Sequence, residues 1–137
     1  MRRIIAVLLL LVTLASVGAF AQIVQDSGYR TVAHIKSDGT IQDASYRTIG
    51  HIKSNGTVQD ERFCTVGYIK DDGTVQDERF RTVGHIKADG TVQDSSFRTI
   101  GHVKSDGTVQ DDRYRTIGHA KGIPLKWVAF YFFFRKD

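Results

Sequence analysis

One stretch, Phe80-Arg81-Thr82-Val83-Gly84-His85-Ile86-Lys87-Ala88-Asp89-Gly90-Thr91-Val92-Gln93-Asp94-Ser95-Ser96, is written with small changes five times in succession, so the fold must be assembled from copies of one 17-residue unit. The copies open at Tyr29, Tyr46, Phe63, Phe80 and Phe97, and a sixth opens at Tyr114 but departs from the pattern after Gly122. A unit this short cannot bury an apolar face alone, and stability has to come from packing copy against copy.

Each copy has the grammar of a β-hairpin. An aromatic and β-branched run, Phe80 to Lys87, leads through Ala88-Asp89-Gly90 into a second run, Thr91 to Asp94. Asp-Gly or Asn-Gly between two such runs marks a hairpin turn, because glycine accepts the positive φ that the turn demands. The pair recurs at Asp38-Gly39, Asn55-Gly56, Asp72-Gly73, Asp89-Gly90 and Asp106-Gly107. A two-residue loop would set Lys87 opposite Val92. A three-residue loop with Gly90 in a G1 bulge sets Ile86 there instead, and it is preferred because it keeps apolar side chains together. Val83 and Ile86 are three apart, which an unbroken strand would place on opposite faces. Gly84 between them marks either a bulge that returns both to one core or a sheet buried on both faces.

The expected fold class is all-β, with tandem 17-residue hairpins in a closed radial arrangement like a flower or propeller; an open β-solenoid is the alternative. The chain ends point to closure. Ile23-Val24-Gln25-Asp26 is a second strand without its first, Tyr114–Lys121 is a first strand whose usual partner is replaced, and pairing the two would seal a ring. Residues 123–134 are expected to form an atypical C-terminal strand, since Trp127–Phe134 is aromatic and β-branched and too short to span a bilayer as a helix. With both of its faces apolar, that strand would be covered by the repeat body on one side and by a neighbouring element or a second subunit on the other. A homo-oligomer through Trp127–Phe134 is therefore one expectation.

Residues 1–21 read as a signal peptide: Arg2 and Arg3 precede an apolar run, and Ala19-Phe20-Ala21 forms a small-x-small cleavage site before Gln22. The repeat domain is then 22–137, with no transmembrane segment after cleavage, and the location is secreted, periplasmic or at the cell surface. Removal of Arg2 and Arg3 lowers the formal charge from +4 to about +2. The remaining charges alternate in sign within every copy, which describes a solvated surface and excludes a nucleic-acid partner. Cys64, the single cysteine, stands where the other copies have Arg and cannot form a disulfide within the chain.

The pattern Tyr-Arg-Thr-Ile-Gly-His-Ile-Lys-Ser-Asp-Gly-Thr-Val-Gln-Asp, seen from Tyr46 with Asn55 for the Asp, resembles that of the secreted bacterial five-fold β-flower proteins over Ile23 to the C-terminus. The resemblance implies a small radial array of hairpins and no established activity, so it assigns no functional residue. Five Asp-Gly or Asn-Gly turns suit a five-fold reading, and six Gln-Asp pairs leave six units open.

The candidate ligand residues are Tyr29, Tyr46, Phe80, Phe97 and Tyr114, which with Phe63 open the copies, and His34, His51, His85, His102 and His119, which share one repeat position filled by Tyr68 in the third copy. Aromatics beside Arg, Gln and Asp suit stacking on sugar rings, with avidity from repetition. Free interchange of Tyr with Phe favours a core role for them instead. The imidazoles read as packing or hydrogen-bonding groups, because Tyr68 makes a poor zinc ligand. Asp-Gly-Thr-x-Gln-Asp offers too few oxygens for calcium. No catalytic, cofactor-binding or metal-binding residue is expected, since catalysis needs unlike groups in one site and this chain multiplies like ones. The reading is a non-catalytic secreted structural or protein-interaction module, with a repeat-symmetric glycan or small-ligand binder as the alternative. The two are told apart by whether the rings lie buried between units or exposed.

Overall fold

The computed structural model describes residues 22–136. Twelve strands follow one another: β1 (Gln22–Asp26), β2 (Thr31–Ile35), β3 (Thr40–Asp43), β4 (Thr48–Ile52), β5 (Thr57–Asp60), β6 (Thr65–Ile69), β7 (Thr74–Asp77), β8 (Thr82–Ile86), β9 (Thr91–Asp94), β10 (Thr99–Val103), β11 (Thr108–Asp111) and β12 (Thr116–His119). Each pairs antiparallel with its sequence neighbours, and β1 pairs with β12, so the sheet closes into a barrel and the open solenoid is set aside. Gln25 lies opposite His119 and Asp26 opposite Gly118, which is the end-to-end seal expected from the sequence.

Two kinds of loop alternate around this barrel, and they share one geometry. At the Asp-Gly loops Gly39 N donates to Lys36 O at 2.9 Å and Lys36 N to Thr40 O at 2.9 Å, with Gly39 at φ 90°. This is a three-residue loop with a glycine bulge. It sets Ile86 opposite Val92 and Ile35 opposite Ile41. At the other end Tyr29 N donates to Asp26 O at 3.1 Å and Asp26 N to Arg30 O at 2.9 Å, the same pattern with an aromatic residue in the bulge position.

The strand glycines sit at the second device, a bulge. In β4 the register passes from Ile41 opposite Gly50 to Gln42 opposite Thr48, so Ile49 is the extra residue. Gly50 and Ile52 are buried and Ile49 packs against the same core. A bulge therefore returns both apolar residues to the interior, as one branch of the sequence reading required.

Residues 123–134 are not a strand. After Pro124 the chain forms a short helix α1 (Leu125–Ala129), continued by a π-helical turn (Phe130–Phe134) in which Arg135 N donates to Phe130 O. Val128, Ala129 and Phe130 are buried, and the remaining aromatics of the turn are half-buried against the core. The physical reason is geometric. Side chains on a strand alternate between two directions, whereas helical side chains fan out by about 100° per residue. In a fan, consecutive phenylalanines reach successive walls of the barrel. A Cβ at Gly118, Gly101 or Gly84 would collide with the ring of Phe132, Phe133 or Phe134, and one at Gly67 would meet Phe130 at 3.7 Å. The inward glycines of β12, β10, β8 and β6 are thus the seats of a helical plug. The signal peptide expected at 1–21 lies outside the described residues.

Ending the chain after Lys126 removes this plug. The expected outcome is aggregation or a fall in melting temperature large enough to lose cooperative unfolding; an equally stable, soluble truncation would show the plug to be dispensable. Gly90→Val should cost more than about 1 kcal/mol, through forced backbone geometry and a clash with Val103 O. Ala88→Ser in the same loop should be near neutral, and equal melting temperatures for the two would contradict the turn.

Candidate functional site

The six aromatics that open the copies are not core residues. The residues are 63–68% exposed, and each adopts a left-handed backbone with φ between 64° and 68°. The expectation of a core role fails because the bulge position of a three-residue loop projects its side chain away from the interior. A non-glycine residue in that conformation costs about 1–2 kcal/mol. At the opposite end of the barrel the same loop position is always glycine.

Two local interactions hold the aromatic in place. The first is a carboxylate: Asp43 Oδ1 accepts from Ser45 N at 2.8 Å and Arg47 N at 3.0 Å, while Oδ2 accepts from Arg47 Nε at 2.9 Å. The two backbone bonds recur at Asp26, Asp60, Asp77, Asp94 and Asp111. The Arg pair recurs at all of these except Asp60, where Cys64 supplies only its backbone N–H. For Asp43, the Arg47 backbone N–H is the main cause of a carboxyl pKa below its ordinary 3.8, and it outweighs the opposing effect of burial. For Asp77 burial is the largest influence and pushes upward, but the N–H groups of Arg81 and Arg79 and the Arg81 side chain together overcome it.

The second interaction is a stack. Tyr46 lies on His34, Phe63 on His51, Phe80 on Tyr68, Phe97 on His85, Tyr114 on His102 and Tyr29 on His119, with centroids 4.0–4.6 Å apart and planes within 14° of parallel. Such a pair contributes about 0.5–1.5 kcal/mol, which offsets much of the backbone cost. The Tyr29–His119 stack spans the β1–β12 seal. Eight of the ten candidate residues expected from the sequence therefore meet in four pairs, and the other two, His51 and Phe80, stack on Phe63 and Tyr68, which complete the ring. The signal for Phe63 was its repeat position alone. His34 Nδ1, His51 Nε2 and His119 Nε2 are buried without a hydrogen-bond partner. Each imidazole acts as a flat plate under its aromatic partner. Among the described residues, no three His, Cys, Asp or Glu side chains converge as a metal site.

Inside the wall the sequence reading missed a cavity. About 980 Å³ lies between the plug and β3–β10, floored by Ile41, Val58 and Val75. Asp43, Asp60, Glu61, Asp77, Glu78 and Asp94 line it, which places its mouth at the aromatic-loop end. Nothing in a repeat unit encodes this space, because the plug that bounds it lies outside the repeat.

Every depressed carboxylate stabilises the fold above its unfolded pKa and loses that contribution as pH falls through the folded one. The melting temperature should therefore be flat from pH 7 to about 5 and fall as the pH drops below 4, because nine loop aspartates, Asp26, Asp38, Asp43, Asp72, Asp77, Asp89, Asp94, Asp106 and Asp111, are shifted below 3.8. Thermal unfolding followed against pH checks this, and a melting temperature unchanged down to pH 2 would show that the loop carboxylates do not matter.

Among known proteins, the model of the family described as "5-fold beta-flower protein" matches residues 21–136. No curated protein and no solved structure matches the chain.

Proposed function

The chain belongs to the 5-fold beta-flower protein family, and on that premise we propose that it is a non-catalytic, multivalent carbohydrate-binding module that works outside the cytoplasm once residues 1–21 are removed. The reading takes the barrel as a radial array of 17-residue units, each presenting one aromatic plate. One observation carries it: six strained aromatic residues keep one face on an imidazole or phenol ring and are nonetheless 63–68% exposed as residues. Backbone strain retained at exposed positions points to a role in recognition.

The chemistry fits sugar better than a hydroxyl-reading site. Tyr and Phe alternate freely among the six positions, so the ring face is the common feature and the phenol is not. An Arg follows the ring in five copies, held by its Asp, and offers donors beside the plate. One plate holds a pyranose weakly, and six plates on one rigid wall turn weak binding into avidity.

The test exploits the loop geometry. Glycine tolerates the left-handed conformation, so Tyr46→Gly, Phe80→Gly and Tyr114→Gly together remove three plates without breaking the turns. Binding of residues 22–137 to immobilised bacterial polysaccharides should fall at least roughly tenfold in the triple variant, with cooperative unfolding retained. Binding that does not depend on the rings, or none to any glycan, would overturn the reading.

A further inference from the structure

A second site lies within the barrel, and it differs from the outer ring in having one copy and no symmetry. The plug does not sit on the barrel axis. Its rings occupy the inward faces of Gly67, Gly84, Gly101 and Gly118, whereas a Cβ at Gly50 would meet only Gln59 O and the Cδ1 atom of Ile41. The space left on that side is the cavity of about 980 Å³. Its floor is aliphatic and aromatic, from Ile41, Val58, Val75 and Phe134, and its size is that of a pocket for a small organic ligand.

The mouth carries the departures from the repeat. The residue after the loop aspartate is Ser27, Ala44, Ser95 or Asp112 in four copies but a glutamate, Glu61 or Glu78, in the two middle loops of the cavity wall, which lie between the Asp43 and Asp94 loops that also border it. Between those glutamates, Cys64 replaces the arginine that elsewhere binds the aspartate Oδ2. Asp60 therefore lines the cavity with one oxygen on the backbone N–H groups of Arg62 and Cys64 and without the guanidinium its equivalents hold. The three changes act in one direction. Two add a carboxylate to the cavity wall and one removes the cation from a lining aspartate, while Arg62 and Arg79, which follow the glutamates, are not among the residues that line the space. Arg135 and Lys136 also line the space, with the Arg135 guanidinium 4.9 Å from the Tyr131 ring, but carboxylates outnumber them.

We propose that this cavity binds an organic cation with an apolar body, the body on the Ile41, Val58 and Val75 floor and the cationic head among Asp60, Glu61 and Glu78. The floor supplies affinity through apolar burial. The three carboxylates supply selection by charge, since a like charge at the mouth would be repelled and an uncharged head would gain nothing from them.

The probe is decyltrimethylammonium below its micelle concentration, titrated into residues 22–137 by calorimetry, with decyl sulfate and 1-decanol as the anionic and uncharged counterparts. One cation should bind per chain, at least roughly tenfold tighter than decyl sulfate. The triple variant Asp60→Asn, Glu61→Gln, Glu78→Gln should lose about tenfold in affinity for the cation while binding 1-decanol as before, and the change Asp60→Asn keeps an Oδ1 to cap the loop. Val58→Phe should block both ligands, with its melting temperature recorded to show that it folds. The proposal fails if decyl sulfate binds as well as the cation, if the carboxylate variant binds the cation unchanged, or if no probe saturates at one per chain. Of these positions only Asp60 also supports an outer ring, through the cap of the Phe63 loop, so the double variant Glu61→Gln, Glu78→Gln, which leaves every plate and cap intact, should lose cation affinity with glycan binding unchanged, and the two readings stand or fall separately.

Discussion

A barrel of twelve strands encloses more space than its own side chains can fill, and the rest of the structure answers to that fact. Barrel diameter grows with strand number, and about eight strands already bring side chains from opposite walls into contact. Here the inward residues are Ile, Val, Gly and, in β2, Ala33, on strands of four or five residues, which leave the lumen between them to be filled. The C-terminal segment fills the gap. Its phenylalanines need a helical fan to reach several walls, and the walls need glycine where the rings arrive, so Gly67, Gly84, Gly101 and Gly118 and the run Phe130–Phe134 are two halves of one solution. The strand bulges belong to it as well, because they turn Ile49 and its equivalents back towards the same interior.

Closure also places the two ends of the chain side by side. β12 and β1 come from opposite termini and are joined by backbone pairing and by the Tyr29–His119 stack instead of by a loop. This explains how five glycine loops and six aromatic loops coexist: the aromatic loops connect six hairpins, from β1–β2 to β11–β12, and the glycine loops fill the five gaps between them. The two loop types share their backbone hydrogen bonding and differ in the residue at positive φ and in the placing of the capping aspartate. Glycine is obligatory at Gly39 and its equivalents for a second reason, since the next hairpin's backbone lies against it, with Ile52 N donating to Gly39 O at 2.8 Å. The aromatic loops have no such neighbour, and that freedom lets a large ring stand there.

Much of the barrel was legible because hairpin chemistry is local. Asp-Gly pairs, the apolar pairing of Ile86 with Val92, the bulge at the strand glycine and the unpaired ends each follow from a few consecutive residues. The plug was not legible. An unbroken apolar run such as Trp127–Phe134 has no periodicity to separate strand from buried helix, and its β-branched and aromatic content pointed to the wrong one. The exposure of the rings was hidden by a general expectation about large apolar residues. A local signal was nevertheless present: Asp-x-x-aromatic-Arg repeats the spacing of Lys-x-Asp-Gly-Thr, with the aromatic in the place of the glycine.

Repetition and function part company at the barrel wall. On the outside, copying yields six nearly identical plates, and identical groups can only bind the same thing several times. Inside, a single helical plug cannot match the symmetry of the ring that holds it, so some inward glycines are covered and Gly50 is not. The symmetry is broken there by geometry before any side chain changes. Substitutions confined to one or two copies then acquire a meaning that they would lack on the outer wall: Glu61, Glu78 and Cys64 differ from their equivalents where the interior is also different. In a chain made by copying, the residues that depart from the unit are the ones able to specify a unique site, and in this barrel Glu61 and Glu78 line the cavity beside the plug.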